Sequence, residues 1–286
     1  MGSANKPGFR IQQVADLTGI PRNTLLSWER RHRLIVPARA ENGYRYYSQS
    51  DIDLLARVQE LLALGHSIAD AARWVQHVAP ENDGGLDRVR AELRKALLDF
   101  DLEGAQRIRD RLSMAPFETV IDEVYLPLLA EVGDGWERGE IRVSQEHFAS
   151  AFCRAQVVMM LSQLGSRGPA ARRALCAGFP GEQHEVGLLA VAVKLALRGF
   201  SVTYLGNDVP IPDLCRTAQA TGAEVLCQSV VLERPIEGLS AQIREISASL
   251  PDTVLLAIGG AGVRALVVDA PNVVVCHTFE DLASRL

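Results

Sequence analysis

The stretch Gly181-Glu182-Gln183-His184-Glu185-Val186-Gly187 decides the fold. It follows a short apolar run at residues 174–179 and precedes a longer apolar segment at 188–197. A strand, a polar glycine-bearing junction and a helix place an imidazole at the carboxyl end of a strand, where open α/β sheets bind ligands. A neutral His at such a point can coordinate a metal while a carboxylate two residues away holds its other ring nitrogen, and Glu182 stands there. Gly187 lets a large flat ligand approach the backbone. Taken alone, one His in such a loop is more often a hydrogen-bonded structural residue than a ligand.

Outward from this stretch the pattern repeats. Apolar runs at residues 173–179, 201–205, 224–230, 253–258 and 272–276 alternate with helical periodicity at 186–197, 211–221 and 239–249. That alternation predicts a doubly wound parallel sheet of flavodoxin-like order. The turn Leu205-Gly206-Asn207-Asp208-Val209-Pro210 closes the second run at the same edge as His184. Asn207 and Val209 there read either as ligand lining or as an ordinary turn.

Further upstream, residues 86–100, 102–112, 117–132 and 145–164 show apolar positions at helical spacing and predict a four-helix bundle, with Pro127 kinking the third helix. Between the third and fourth lies Gly133-Asp134-Gly135-Trp136-Glu137-Arg138-Gly139-Glu140, read as a loop in which the Trp is poorly placed to be core. Ser144 is positioned to cap the next helix, which puts Glu146 and His147 in its first turn. Without other context His147 reads as a structural helix-start residue.

The amino-terminal third differs in charge. The whole chain has 286 residues, 48% of them hydrophobic, and a formal net charge of −5, which suits two or three packed domains and argues against a generally basic nucleic-acid coat. Residues 1–48 nevertheless hold eight Lys/Arg against three acids, a local net of +5 able to hold phosphate. Apolar residues Ile11, Val14, Ala15 and Leu17, the turn Thr18-Gly19-Ile20-Pro21, and Asn23-Thr24-Leu25-Leu26-Ser27-Trp28-Glu29-Arg30-Arg31 form the pattern of a helix-turn-helix. Gly43-Tyr44-Arg45-Tyr46-Tyr47 follows as a wing that can set Tyr hydroxyls and an Arg against phosphate or the minor groove, and Ser48 and Ser67 cap two further helices. Arg22, Asn23, Thr24, Arg31, Tyr44, Arg45 and Tyr46 are the candidate DNA-contacting residues, whereas Trp28 reads as core. A Pro-Glu-Asn-Asp-Gly-Gly linker spans residues 80–85, and the domains are expected at residues 1–79, 86–166 and 172–286.

Five widely spaced cysteines, without any CxxC, read as reduced and mostly buried thiols. The polar segment at residues 1–8 resembles no signal peptide and no apolar run approaches bilayer length, so a cytoplasmic protein without a membrane partner is expected. No nucleophile, acid pair or phosphate loop suggests catalysis, and the chain is not expected to be an enzyme.

Three resemblances attach to these residues. Glu182-x-His184-x-x-Gly187, then Ser229-x-x-Leu232, then Gly259-Gly260 resembles the cobalamin-binding domain of methionine synthase and its relatives over residues 172–286. It implies that His184 is the lower axial cobalt ligand and that the displaced nucleotide tail threads beside the Ser and Gly-Gly loops, with Asn207 and Val209 at the corrin periphery. Glu182 departs from the Asp of many members. Trp28-Glu29-Arg30-Arg31 and Gly43-Tyr44-Arg45-Tyr46-Tyr47 resemble the MerR family of transcriptional regulators over residues 9–78, with Leu26 standing where relatives often carry Arg. Trp136, nine residues, then Glu146-His147 resembles the bundle covering the upper face of cobalamin in light-sensing repressors of the CarH, CarA and LitR kind. This implies that Trp136 stacks over the adenosyl group or corrin of adenosylcobalamin, with Glu146 and His147 near the upper ligand.

Some light-sensing relatives carry a His directly after the Trp, where this chain has Glu137. That departure leaves open a sensor of cofactor alone, or one using another tetrapyrrole such as a bilin. The implied function is a cobalamin-dependent, light-responsive repressor that binds operator DNA as a homo-oligomer, dimer or tetramer. A corrinoid subunit of a methyltransferase and a MerR-type sensor of a non-corrin ligand are the other readings of the same architecture.

Overall fold

The computed structural model describes residues 8–35, 37–39, 45–63, 67–69, 71–72, 85–113, 115–165, 168 and 170–286. The chain divides into two compact units, Met1–Val124 and Tyr125–Leu286.

In the first unit, α1 (Ile11–Thr18) ends at Gly19, whose φ of +70° carries the chain through a left-handed turn that few side chains accept. Pro21 then starts α2 (Arg22–His32), since a proline ahead of the first turn costs no hydrogen bond. Val14, Ile20, Leu25, Leu34, Tyr47, Leu55 and Val58 are buried as the core of this module. Strands β1 (Ala38–Arg39) and β2 (Arg45–Tyr46) pair antiparallel as the wing. Ser48 caps α3 (Gln49–Ala63): its hydroxyl accepts from the Asp51 N–H at 3.1 Å while the Asp51 carboxylate accepts from the Ser48 N–H at 2.7 Å. The helix expected after Ser67 lies mostly outside the described residues. Beyond it, α4 (Gly85–Leu98) packs on α5 (Leu102–Leu112), which Asp101 caps.

The third bundle helix is not one continuous α-helix. It comprises α6 (Phe117–Val120), a π-turn (Ile121–Tyr125) and α7 (Leu126–Glu137). Pro127 has no N–H to give the carbonyl four residues earlier, that of Glu123, and the Arg90 guanidinium donates to that oxygen at 2.9 Å instead. The kink expected at Pro127 is therefore a wide turn just ahead of it. The helix also runs further than its glycines suggest, so Trp136 sits on its last turn and not in a loop. Gly133 and Gly135 each disfavour helix, but the following turn folds back and donates to the Gly135 carbonyl from Glu140 and Ile141, at 2.9 and 3.1 Å. The next helix, α8 (Val143–Leu164), starts at Arg142, whose N–H donates to Gln145 Oε1 at 3.0 Å. Ser144 lies inside the first turn and does not cap it.

In the second unit five parallel strands, β3 (Arg173–Gly178), β4 (Ser201–Gly206), β5 (Val225–Ser229), β6 (Leu255–Gly259) and β7 (Val273–Cys276), stand in the order β4-β3-β5-β6-β7. This is the flavodoxin-like order. Side-chain alternation divides the core. Cys176, Cys227 and Ala257 face α9 (Val186–Leu197) and α12 (Phe279–Ala283), while Leu175, Leu226 and Leu256 face α10 (Ile211–Thr221) and α11 (Ile236–Ser249). Helix α8 packs along α9. The short α12 was not expected, although Thr278-x-x-Asp281 is a capping pattern: Thr278 Oγ1 accepts from the Asp281 N–H at 3.3 Å, and the Asp281 carboxylate accepts from Thr278 at 2.8 Å. Among the described residues no helix is long and apolar enough to cross a membrane.

The two glycines before Trp136 should separate in an unfolding experiment. A Cβ on Gly133 meets nothing within 4 Å, whereas one on Gly135 comes within 2.6 Å of Ile141 Cδ1. Gly133→Ala is expected to be neutral or to stabilise by up to about 1 kcal/mol, and Gly135→Ala to destabilise by roughly 1–3 kcal/mol, measured by urea denaturation.

Candidate functional site

The loop after β3 is organised around one carboxylate. Glu182 is 0% exposed and accepts from the N–H groups of Gln183 and His184, both at 3.0 Å, and of Val231 and Leu232, at 2.8 and 3.0 Å. Its Oε1 also holds His184 Nδ1 at 2.6 Å. Burial pushes the Glu182 carboxyl up, but the N–H groups of His184, Leu232 and Val231 outweigh that and bring it to about 2, so it is a carboxylate at neutral pH. An ionised partner on Nδ1 fixes that nitrogen as the proton donor and leaves Nε2 as the basic atom of the ring.

Neighbouring loops pin the same segment. Gly181 N–H donates to Asp208 Oδ1 at 2.7 Å, Asn207 Nδ2 donates to the Gln183 carbonyl at 2.6 Å, and the Arg234 guanidinium donates to the Pro180 carbonyl at 2.7 Å. His184 therefore sits at the switch point between β3 and β5, held from the carboxyl ends of three strands.

A cleft of about 570 Å³ opens in front of this loop. Trp136 and Glu137 from α7, Glu146 and His147 from α8, and His184 and Gly187 from the β3–α9 junction line it. The indole is 47% exposed, an unusual state for the largest apolar side chain. His147 Nδ1 is paired with Glu146 Oε2, and Ser150 donates to the other Glu146 oxygen at 2.6 Å. Two residues that sequence reasoning missed tie the walls together. Arg154 of α8 forms an ion pair with Glu185, and Glu185 accepts from the Tyr204 hydroxyl at 3.0 Å. Burial pushes Tyr204 up to about 12, so it remains a donor. Only the spacing of Arg154 and Glu185 on facing elements could have signalled this pair, and sequence does not show facing.

Ser229, Gly259 and Gly260 do not reach that cleft. They line a second cavity of about 300 Å³ between α9 and α12, which Gly187 also borders. Gly260 has a φ of +109°, and a side chain there would run into the Val230 carbonyl, so its backbone approach is specific to glycine. Leu232, Asn207 and Val209 line neither cavity: Leu232 serves Glu182 through its N–H, Asn207 braces Gln183, and Val209 packs on the sheet core. All five cysteines are free and buried, and burial pushes Cys153 and Cys276 up to about 12, which keeps them as neutral thiols.

In the first unit Arg22, Asn23 and Arg31 are exposed on α2, and Thr24 shares a helix face with Arg31 two turns on. Trp28 and Tyr46 are half-buried. Arg45 Nε lies 3.0 Å from both Glu29 oxygens, so the wing residue also braces the wing to α2. Tyr44 lies outside the described residues.

Removing Glu182 and removing His184 should have different consequences for the ligand-free protein. Glu182→Ala strands four backbone donors beneath the loop and should cost on the order of 3–5 kcal/mol of stability. His184→Ala removes one half-exposed bond and should cost about 1 kcal/mol or less, both read by chemical denaturation.

Known proteins share this arrangement. The MerR HTH family regulatory protein model matches residues 9–78, and two B12 binding domain models match residues 89–159 and 172–286. The chain is 32% identical over 273 residues to the HTH-type transcriptional repressor CarH of Myxococcus xanthus, covering 90% of each. It is 32% identical over 260 residues to the HTH-type transcriptional repressor CarA of the same organism, covering 90% of this chain and 88% of that one. The structure of the Methanosarcina barkeri monomethylamine corrinoid protein covers 70% of this chain and 97% of its own with a TM-score of 0.56, and at 20% identity the likeness concerns fold alone. With a helix-turn-helix module ahead of two B12-binding domains and repressors, not enzymes, as relatives across nearly its whole length, the chain belongs to the CarH and CarA family of cobalamin-binding transcriptional repressors.

Proposed function

We propose that the protein represses transcription by gripping operator DNA as a homo-oligomer, dimer or tetramer, whose assembly is set in the cytoplasm by adenosylcobalamin and reversed by light. The observation that carries this reading is the cleft in which His184, with its Nδ1 committed to Glu182, faces Trp136, Glu146 and His147. These residues fit a corrinoid: Nε2 of His184 is the basic nitrogen a cobalt ion takes, and the glycine-bordered second cavity suits the displaced tail. When bound, the cofactor supplies a cobalt–carbon bond that visible light breaks.

In this reading the response is carried by the chain's own residues. Trp136, on the last turn of α7, and Glu146, on the first turn of α8, would read an adenosyl group. Arg154 and Glu185 transmit a shift of α8 to the loop that carries His184. A near-complete switch between assemblies needs a differential affinity of about 5.5 kcal/mol. Such a difference requires contacts made in one state only, and an exposed indole can make them. A second reading, a light-independent sensor of the corrinoid or of another tetrapyrrole such as a bilin, is favoured by Glu137, which lines the cleft directly after Trp136.

Size-exclusion chromatography with light scattering, in the dark and after illumination, tests the proposal. The parent should assemble with adenosylcobalamin and dissociate in light. Trp136→Ala should still bind the corrinoid without assembling, and His184→Ala should bind it far more weakly or base-on, as its absorption bands report. Assembly of Trp136→Ala like the parent would reduce the indole to packing, and dark assembly unaffected by light would favour the second reading.

For DNA, Arg31→Ala should weaken operator binding with cofactor uptake intact. Arg45→Ala should weaken binding to all sequences and reduce the salt slope by about one, measured by gel shift across a salt series.

A further inference from the structure

The cleft in front of the β3–α9 junction carries two imidazoles that are built in the same way. From the junction, His184 gives Nδ1 to the buried Glu182 at 2.6 Å. From α8, His147 gives Nδ1 to Glu146 Oε2, and Ser150, one turn further on, donates to Glu146 Oε1 at 2.6 Å. The serine holds the carboxylate, and the carboxylate holds the ring. Metal-binding histidines almost always give their second nitrogen to such a partner, which leaves the Nε2 lone pair as the donor. The His147 side chain is 74% exposed, so the pairing with Glu146, and not packing, sets its ring. It and His184 are the two histidines among the residues that line the cleft.

Two imidazoles do not make a site for a bare metal ion. Among the described residues no three His, Cys, Asp or Glu side chains group closely enough to hold one. A metal inside a macrocycle is a different case, because the ring fills the four equatorial positions and leaves two axial ones to the protein. The number of imidazoles in the cleft matches the number of positions left open, and its volume of about 570 Å³ is that of a cofactor pocket. Glu137 and Glu146 line the same wall as His147, but carboxylates suit magnesium, calcium and manganese, whereas imidazole suits the later metals of the first transition row.

Resting on the corrinoid reading above, we propose that His147 is the upper axial ligand of a corrinoid that carries no alkyl group. The exchange is a substitution without change of oxidation state. His147 Nε2 gives its lone pair to the cobalt as a bound water leaves, and the Nδ1 proton stays on the ring, shared with Glu146. With an alkyl group in place the position is filled, and His147 keeps to its own wall. Without one, His147 and His184 meet at a single metal centre, which ties the first turn of α8 to the loop that carries His184. Loss of the alkyl group then leads to a defined second state and not to an open site. Glu146 is a positioning residue, since it fixes which nitrogen His147 offers.

Aquacobalamin mixed with the full chain in the dark tests this, through its absorption bands and through azide, which competes for the upper position. The parent should show the bands of a bis-imidazole complex, and His147→Ala those of a water-ligated one. Free imidazole added to His147→Ala should restore the bands of the parent, which a variant damaged in its fold would not do. Glu146→Gln, which removes the charge behind the ring, should let azide compete roughly tenfold more effectively than in the parent. Water-ligated bands in the parent, or the same bands in the parent and His147→Ala, overturn the proposal while leaving the corrinoid reading in place. Failure of aquacobalamin to bind the parent, or unchanged bands in His184→Ala, overturns both.

Discussion

A single buried carboxylate organises the ligand-facing edge of the sheet. Glu182 gathers five hydrogen bonds from two loops, one following β3 and one following β5. A charge can be buried at this depth only because every acceptor position is used. The arrangement ties the two crossings to one carboxylate, and it decides which nitrogen of His184 faces outward. A Glu in place of an Asp at this position reaches across to Val231 and Leu232, so its extra methylene joins the two loops that flank the switch point.

The helical wall opposite that loop is shaped by exceptions to helix propensity. Pro127 widens one turn, and Gly135 lets residues 138–142 fold tightly beneath the end of α7. Both place Trp136 on a rigid final turn, where its indole is presented and not buried. The Arg154–Glu185–Tyr204 chain then makes the position of α8 depend on the loop carrying His184. The ion pair that joins the two walls of the cleft is half shielded from water, where Coulomb attraction is stronger than at a free surface.

In the amino-terminal unit the same economy appears. Arg45 is both a wing cation and the partner of Glu29, so the charge expected to meet phosphate also sets the wing against α2. Such a brace restricts the wing before DNA arrives and lowers the ordering cost of binding.

The order of elements was legible in the residues alone because strand and helix periodicities are local: the alternation of apolar runs predicted five parallel strands, and the ends of α9 and α10 fell where their periodicity stopped. Glu182 and His184 were legible too, as neighbours in sequence whose chemistry is short-range. The glycines beside Trp136 are poor helix formers and make the stretch read as a loop, whereas the turn at residues 138–141, which donates to the Gly135 carbonyl and packs Ile141 against Gly135, keeps it helical. The division of the glycine and serine residues into a second cavity, the Arg154–Glu185 pair and the sharing of one cleft by His147 and His184 were decided by tertiary structure. Each depends on which faces of separate elements meet, and a linear pattern records the period of a face but not its partner.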